Sequence, residues 1–385
     1  MKPERVEKDT DIRLVVFSDA FRHRNGVGAY YCDLLGHLQK RLGAAELVCP
    51  GKTPEGKVQG LCIGLPSDPT QKLCLPGLLK AVRTMRRVRP NIVVFASPGP
   101  YGILGLILSK FFRVRSIVGY HTQFDKLVEM YWNRLLGGFA GKVLRTTDRI
   151  FFRLSCLAVA NSEQVREAAE NLGARGPRLV GTPLEPRLLE APEPHAHHAF
   201  GPVLFAGRLA AEKNIEAVLD AAKNMPETQF IIAGDGPQKD MVEKAATELD
   251  NIDYRGWLQR PELLRAFDDC EIKAMPSHLE TFGTVAMEAM ARQRMVLVSE
   301  NCGIREWPAL ADGLELIGKD ESLTEALRRI AAWPAEQRAK RSQIARQRAE
   351  DFNQHTVDHW IELMTEVLNR PKCRTPKNTR DGATE

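Results

Sequence analysis

Long apolar runs are missing from this sequence. The longest candidate, Tyr101–Ser109, is followed directly by Lys110. A membrane-spanning helix takes about 20 apolar residues, so none is expected. The opening residues, MKPERVEKDTD, are charged and have no apolar centre, which speaks against a secretory signal. No short repeat runs through the chain, and this excludes collagen-like and coiled-coil architectures. The eight cysteines include no C-x-x-C pair. Most lie in apolar stretches and read as reduced, buried thiols of a cytoplasmic protein.

What is present is ordinary globular material. The chain has 385 residues, 43% hydrophobic and 27% charged, a length and balance that suggest two domains. The charge is split unevenly. Residues 1–186 carry 28 Lys and Arg against 16 Asp and Glu, and the remainder carries 26 against 33. Opposite signs in the two halves point to different partners. The basic excess gathers at Arg83, Arg86, Arg87 and Arg89, and again at Lys110, Arg113 and Arg115.

Short β-branched runs at Ile12–Phe17, Ile92–Ala96, Ser116–Tyr120 and Leu157–Ala160 alternate with helix-like segments at Tyr30–Leu42, Pro76–Val88 and Ser162–Leu172. Apolar strands between helices predict a parallel sheet covered on both faces. The pattern breaks at Pro183–Pro202, which holds five prolines and reads as a linker. Its His195, His197 and His198 read as solvated linker residues rather than metal ligands. The alternation resumes with strands at Val203–Ala206, Gln229–Ala233, Ile272–Met275 and Val296–Ser299, and a final helix is expected over Asn353–Asn369. The fold class is thus α/β, with two Rossmann-like domains in series. The expected domains are 1–186, a linker at 187–201, 202–352, the helix 353–369 and a disordered tail at 370–385.

Ligands of such sheets bind beyond the carboxyl ends of the strands. After the first strand, Gly26 and Gly28 allow backbone to approach a phosphate or sugar. The spacing is not G-x-G-x-x-G, which disfavours a nicotinamide cofactor. Val203–Ala206 ends in Gly207–Arg208, with Lys213 close behind. Two cations past a strand end suit a diphosphate, Arg as a planar fork and Lys as a point charge. The next strand ends in the turn Gly234–Asp235–Gly236. Ile272–Met275 leads to Glu280–Thr281–Phe282–Gly283–Thr284 and then Glu288. Two carboxylates around a helix start can accept hydrogen bonds from vicinal hydroxyls, while the helix N-terminus favours negative charge.

These motifs in this order resemble the retaining, two-domain (GT-B fold) glycosyltransferases of family 4, the group 1 type. The resemblance covers nearly the whole chain, and its most specific element is the pair Glu280 and Glu288 within E-T-F-G-x-x-x-x-E-A-M-A. It implies two Rossmann-like domains facing across a cleft, with the C-terminal helix crossing back to the first. It implies that Glu288 binds the nucleotide ribose and that Arg208 and Lys213 hold the diphosphate and stabilise the leaving group. Glu280 and the backbone of Phe282, Gly283 and Thr284 would contact the donor sugar. His121, in Gly119–Tyr120–His121–Thr122, matches the family's N-domain histidine near the transferred sugar, either as a base or as a polar core residue. Gly26 and Gly28 match a flexible loop that closes on donor and acceptor, and Gly207, Gly234 and Gly236 fall at the donor side.

The implied function is transfer of a hexosyl unit from a nucleotide-diphosphate sugar to a glycan or lipid hydroxyl, with retention. No metal or cofactor is expected beyond the nucleotide sugar, and no D-x-D motif follows a strand. A nucleotide-sugar-binding protein without catalysis and a sugar-nucleotide epimerase on the same fold are the alternatives. Departures from the family pattern are Arg292–Gln293–Arg294 in place of a helix-ending glycine, Cys302 in place of the first of two glycines, and Gly181–Thr182–Pro183–Leu184 between the domains. None removes a charged site residue. The basic first half has two readings: solvated surface, or a peripheral contact with an anionic cytoplasmic membrane face in which the Thr122–Trp132 stretch takes part. No nucleic-acid partner is expected.

Overall fold

The computed structural model describes residues 10–22, 26–51, 61–65, 68–121, 134–192 and 200–370. They form two compact units, one of residues up to Val180 together with those from Asp358, the other Gly181–Val357.

In the first unit the order is β1 (Thr10–Phe17), α1 (Gly26–Arg41), β2 (Leu42–Val48), β3 (Cys62–Leu65), β4 (Asp68–Cys74), α2 (Leu78–Val88), β5 (Ile92–Phe95), α3 (Pro100–Phe111), β6 (Arg115–Tyr120), α4 (Arg134–Leu154), β7 (Leu157–Ala160), α5 (Glu163–Asn171) and β8 (Arg178–Leu179). Six strands make one parallel sheet in the order β2-β1-β5-β6-β7-β8. Leu14, Val15, Val16 and Phe17 are all fully buried, so both faces of β1 are covered, which explains why it reads as a continuous apolar run. In α2, Ala81, Thr84, Met85 and Val88 turn inward at helical spacing. Ser162 caps α5 by accepting from the Val165 N–H.

The second unit contains β9 (Val203–Ala206), α6 (Ile215–Asn224), β10 (Phe230–Ala233), α7 (Lys239–Glu248), β11 (Ile252–Gly256), α8 (Arg260–Asp269), β12 (Ile272–Met275), α9 (Thr284–Ala291), β13 (Met295–Val298), α10 (Pro308–Ala311), β14 (Glu315–Leu316) and α11 (Leu323–Ala331). Its parallel sheet runs β11-β10-β9-β12-β13-β14. Each sheet therefore reverses its winding once, between β1 and β5 in one and between β9 and β12 in the other. A doubly wound sheet opens a crevice at such a point.

Four features differ from the sequence expectation. The last helix, α12, spans Ala335–Asn369, beginning 18 residues before Asn353. Its early inward face is carried by Arg338, Ala345, Ala349 and Phe352, which is too poor in large apolar residues to announce itself. The expected glycine loop is the first turn of α1, which starts at Gly26, with Gly28 buried. Leu184 and Leu188, in and beside the proline-rich stretch, are buried in the second unit's core. Cys62 and Cys74, expected as thiols, form a disulfide. The antiparallel register of β3 and β4 sets them opposite one another, a pairing that their sequence spacing does not reveal. Cys32, Cys49, Cys156, Cys270 and Cys302 are free thiols. The histidines 195, 197 and 198, the Thr122–Trp132 stretch and the tail after Arg370 lie outside the described residues.

Candidate functional site

In the second unit the candidate residues follow β9, β10 and β12, and β9 and β12 flank the winding reversal. After β9 the chain turns through Gly207, Arg208 and Leu209, and this turn is locked onto the one after β10. The Gly207 N–H donates to Ala233 O (3.0 Å), Leu209 N–H to Asp235 O (3.0 Å) and Gln238 N–H to Leu209 O (2.9 Å). A Cβ on Gly234 would stand 1.9 Å from Gly207 O, so only glycine lets the two turns touch. Arg208 projects from this interlocked support with its side chain exposed.

The next turn, Ala211–Lys213, is stitched to the segment after β12. Asn214 Nδ2 donates to Pro276 O (3.1 Å) and His278 N–H to Glu212 O (2.9 Å). This brings Lys213 Nζ to 2.6 Å from Glu280 Oε2, both side chains about one-fifth exposed. The partly open pair keeps a cation in place while leaving it accessible. Gly283 precedes α9 in the left-handed region, φ +94°, and no side chain among the described residues caps that helix. Its first N–H groups are the anion-favouring feature expected for Phe282–Gly283–Thr284. The Phe282 ring turns into the core, 6.1 Å from Phe352 and 6.3 Å from Trp307. Glu288 is buried on the same helix.

Two features of this region escaped the sequence reading. Lys273 is fully buried on β12. Its Nζ donates to Ala274 O (2.6 Å) and lies 5.0 Å over the Phe205 ring, and burial pushes its pKa down to about 7. A lysine inside an apolar strand was the available signal. Ser277 Oγ, just past β12, is buried with no hydrogen-bond partner among the described residues.

In the first unit His121 directly follows β6 and is buried. Its Nε2 is 2.8 Å from the Tyr31 hydroxyl, while Nδ1 has no partner among the described residues. Burial lowers its pKa to about 3, so the imidazole is neutral. Tyr30 lies against it at 4.4 Å between centroids, and Trp360 Nε1 donates to the Tyr30 hydroxyl (2.8 Å). A Cβ on Gly119 would sit 1.9 Å from the Tyr31 hydroxyl, so the glycine before Tyr120 makes room for the Tyr31–His121 bond. The structure thus groups His121 with α1, the helix that Gly26 and Gly28 begin.

The first unit's winding reversal is filled by Asp19, a third residue whose part the sequence did not reveal. Its carboxylate accepts from Ser97 Oγ (2.7 Å), Tyr101 N–H (2.7 Å) and Gly102 N–H (3.4 Å). Burial raises its pKa against the opposing pull of those bonds. Among the described residues no three His, Cys, Asp or Glu side chains gather as a metal-holding group, and no helix is long and apolar enough to cross a membrane.

Comparison with known proteins agrees with the fold of two α/β units. The family model described as glycosyl transferases group 1 matches residues 200–348, and the model described as glycosyltransferase family 4 matches residues 24–181. The sulfoquinovosyl transferase SQD2 of Arabidopsis thaliana is 26% identical over 323 residues, covering 79% of this chain and 62% of that protein. The GDP-mannose-dependent alpha-(1-6)-phosphatidylinositol dimannoside mannosyltransferase of Mycobacterium tuberculosis is 28% identical over 183 residues, 46% of this chain and 47% of that protein. The chain thus spans less than two-thirds of the length of either relative. The crystal structure of Anabaena HepE in complex with UDP and glucose superposes with a TM-score of 0.63 at 16% identity, covering 92% of this chain and 99% of that one. With two α/β units of matching strand order and both family models matched along its length, the chain belongs to the GT-B glycosyltransferases of family 4, group 1 type.

Proposed function

We propose that this protein transfers a hexosyl unit from a nucleotide-diphosphate sugar to an acceptor hydroxyl of a glycan or lipid, with retention at the anomeric carbon. The observation that carries the reading is the set gathered at the second unit's winding reversal: Arg208, the Lys213–Glu280 pair and the uncapped start of α9 ahead of Glu288. The named relatives support it. One uses GDP-mannose and acts on a phosphatidylinositol mannoside, and a structural neighbour is a complex with UDP and glucose.

On this reading Arg208 and Lys213 neutralise the diphosphate, with the α9 N–H groups adding their dipole. Glu288 accepts hydrogen bonds from the ribose hydroxyls, and Glu280 positions Lys213 and meets the sugar. The bond from the anomeric carbon to the phosphate oxygen breaks, and its electron pair stays with the nucleotide. The acceptor oxygen bonds to the same face of the carbon, and its proton passes to the departing phosphate. Lys213 and Arg208 act where negative charge grows, so they stabilise the transition state more than the bound donor. The first unit takes the acceptor, with the neutral His121 offering its unpartnered Nδ1 as a hydrogen-bonding group.

The test is a thermal-shift panel of UDP-, GDP- and ADP-sugars on wild type and Glu288→Ala. A ligand at 100 times its Kd adds about 2.7 kcal/mol of stability. The expected outcome is a shift with one nucleotide class that the substitution removes. A shift that survives in Glu288→Ala refutes the ribose assignment. Nucleotide release that depends on an added acceptor separates transfer from epimerisation.

A further inference from the structure

The outer surface of the first unit has the wrong polarity for a water-facing helix layer. Helices α2, α3 and α4 cover one face of its sheet, sharing a core through Met85, Leu106 and Phe151. Helix α4 abuts α3: Lys110 Nζ donates to Leu154 O (2.5 Å), and a Cβ on Gly102 of α3 would stand 3.4 Å from the Phe151 ring. A helix in this position normally turns polar residues outward. On α3 the outward stripe is Ile103, Ile107, Lys110 and Phe111, with Phe111 76% exposed. On α4 it is Phe139, Val143 and Ile150. On α2 Leu78 and Leu79 stand at the solvent side of its first turn, Leu79 81% exposed. Of the fourteen large apolar side chains exposed among the described residues, eight lie on these three helices. Scattered exposed leucines are ordinary, but a concentration on one layer marks an interaction surface.

The charges on the same helices have one sign. Lys80, Arg83, Arg86 and Arg87 are exposed on α2, and Lys142, Arg149 and Arg153 on α4. Helices α2 and α3 contain no acidic residue, and the one in α4, Asp148, is buried. Cations between outward apolar stripes fit a partner with an anionic surface and an apolar interior. A second copy of the same face would bring like charges together, and a nucleic acid would leave the Ile and Phe stripes without a partner.

We propose that the outer face of α2, α3 and α4 docks on an anionic phospholipid bilayer. Ile107, Phe111, Phe139 and Val143 enter the boundary between headgroups and acyl chains, and Arg83, Arg86 and Arg149 engage the phosphates. Each cation near such a surface strengthens binding about fivefold, and inserted apolar side chains hold the protein in the interface plane. Docking brings the acceptor-side unit to membrane lipid, which narrows the acceptor class of the proposed transfer. The surface itself does not depend on that reading, because vesicle binding needs no turnover.

The experiment is co-sedimentation of the full chain with phosphatidylcholine vesicles and with vesicles in which a third of the lipid is phosphatidylglycerol, at low and high salt. Wild type is expected to prefer the anionic vesicles by about tenfold or more and to lose most of that preference in high salt. The pair Ile107→Ser and Phe111→Ser is expected to weaken binding by about tenfold or more. The pair Arg83→Glu and Arg86→Glu should abolish the anionic preference. Trp257→Ser, at an exposed position of the second unit, should leave binding unchanged. Circular dichroism melts confirm that each variant folds. As an independent readout, Phe111→Trp should gain blue-shifted emission with anionic vesicles and none with phosphatidylcholine. Absence of wild-type binding overturns the proposal. So does undiminished binding by the Ile107/Phe111 variant, and so does a dimer or a nucleic-acid complex that the same substitutions abolish in place of vesicle binding.

Discussion

In the first unit the loop after the central strand β1 sends the Asp19 carboxylate back into the start of α3. In the second unit the loop after the corresponding strand β9 carries the exposed Arg208 and the partly buried Lys213, which pairs with Glu280, and no side chain among the described residues caps the corresponding helix α9. The strand orders are the same, so the backbone offers an anion-favouring helix start at both places. One is occupied by the protein's own carboxylate, and at the other no side chain among the described residues takes that place. A doubly wound sheet supplies the crevice, and a single side chain decides whether it is a binding site or a piece of internal structure.

The largest expected break in this comparison is Lys213→Ala. Removing a charge that acts on a growing negative centre should lower kcat by about 10²–10³-fold with a much smaller change in KM. Steady-state kinetics decide it, and a change confined to KM contradicts the role. Next is Lys273→Met. Its amine is neutralised by burial at a folded pKa of about 7, against 10.5 when exposed. Between those values the unfolded chain holds a proton that the folded one lacks, so stability rises with pH through that window. An apolar chain of similar volume should add about 2–4 kcal/mol at neutral pH and flatten that rise. Denaturant titrations at pH 7 and 10 read both effects.

Asp19→Ala tests the other side of the comparison. It strips the α3 start of its acceptor and leaves the Tyr101 N–H without a partner, at a cost of about 1–3 kcal/mol. Donor affinity should be unchanged, because no donor group is assigned there. A loss of donor affinity larger than the loss of stability would show that the first unit's crevice also binds ligand.

The alternation of strands and helices, the two-unit plan and the placing of Arg208, Lys213 and Glu280 just past strand ends were legible because each rests on local pattern. Apolar runs mark strands, and a strand end followed by Gly and Arg marks a turn with a fixed cation. Asp19 and Lys273 were not legible for the same reason. Whether Asp19 faces water or a helix start depends on Gly99 and Tyr101, some 80 residues away. The disulfide depends likewise on a strand register. The early start of α12 was hidden by its use of Ala345 and Ala349 as core residues.

The smallest effect concerns how each unit holds its buried base. Lys273 leans on a carbonyl and a ring, whereas His121 is fixed by the Tyr31 hydroxyl. Tyr31→Phe deletes one hydrogen bond and should cost roughly 0.5–1.5 kcal/mol. Gly119→Ala attacks the same bond without removing either partner, because the added Cβ stands 1.9 Å from the Tyr31 hydroxyl and 2.8 Å from His121 Nε2. Both variants should lower kcat more than they raise KM if the bond orients the imidazole toward the transferred sugar. His121 titrates near 3 in the fold and near 6.5 when exposed. Between those values the unfolded chain binds the extra proton, so stability falls as pH drops from 6.5, at about 1.4 kcal/mol per unit for this group. His121→Gln should remove that acid slope and leave the alkaline slope of Lys273 intact. If one substitution moved both slopes, the two buried bases would be coupled, and the separate assignment of the acid slope to His121 and the alkaline slope to Lys273 would fail.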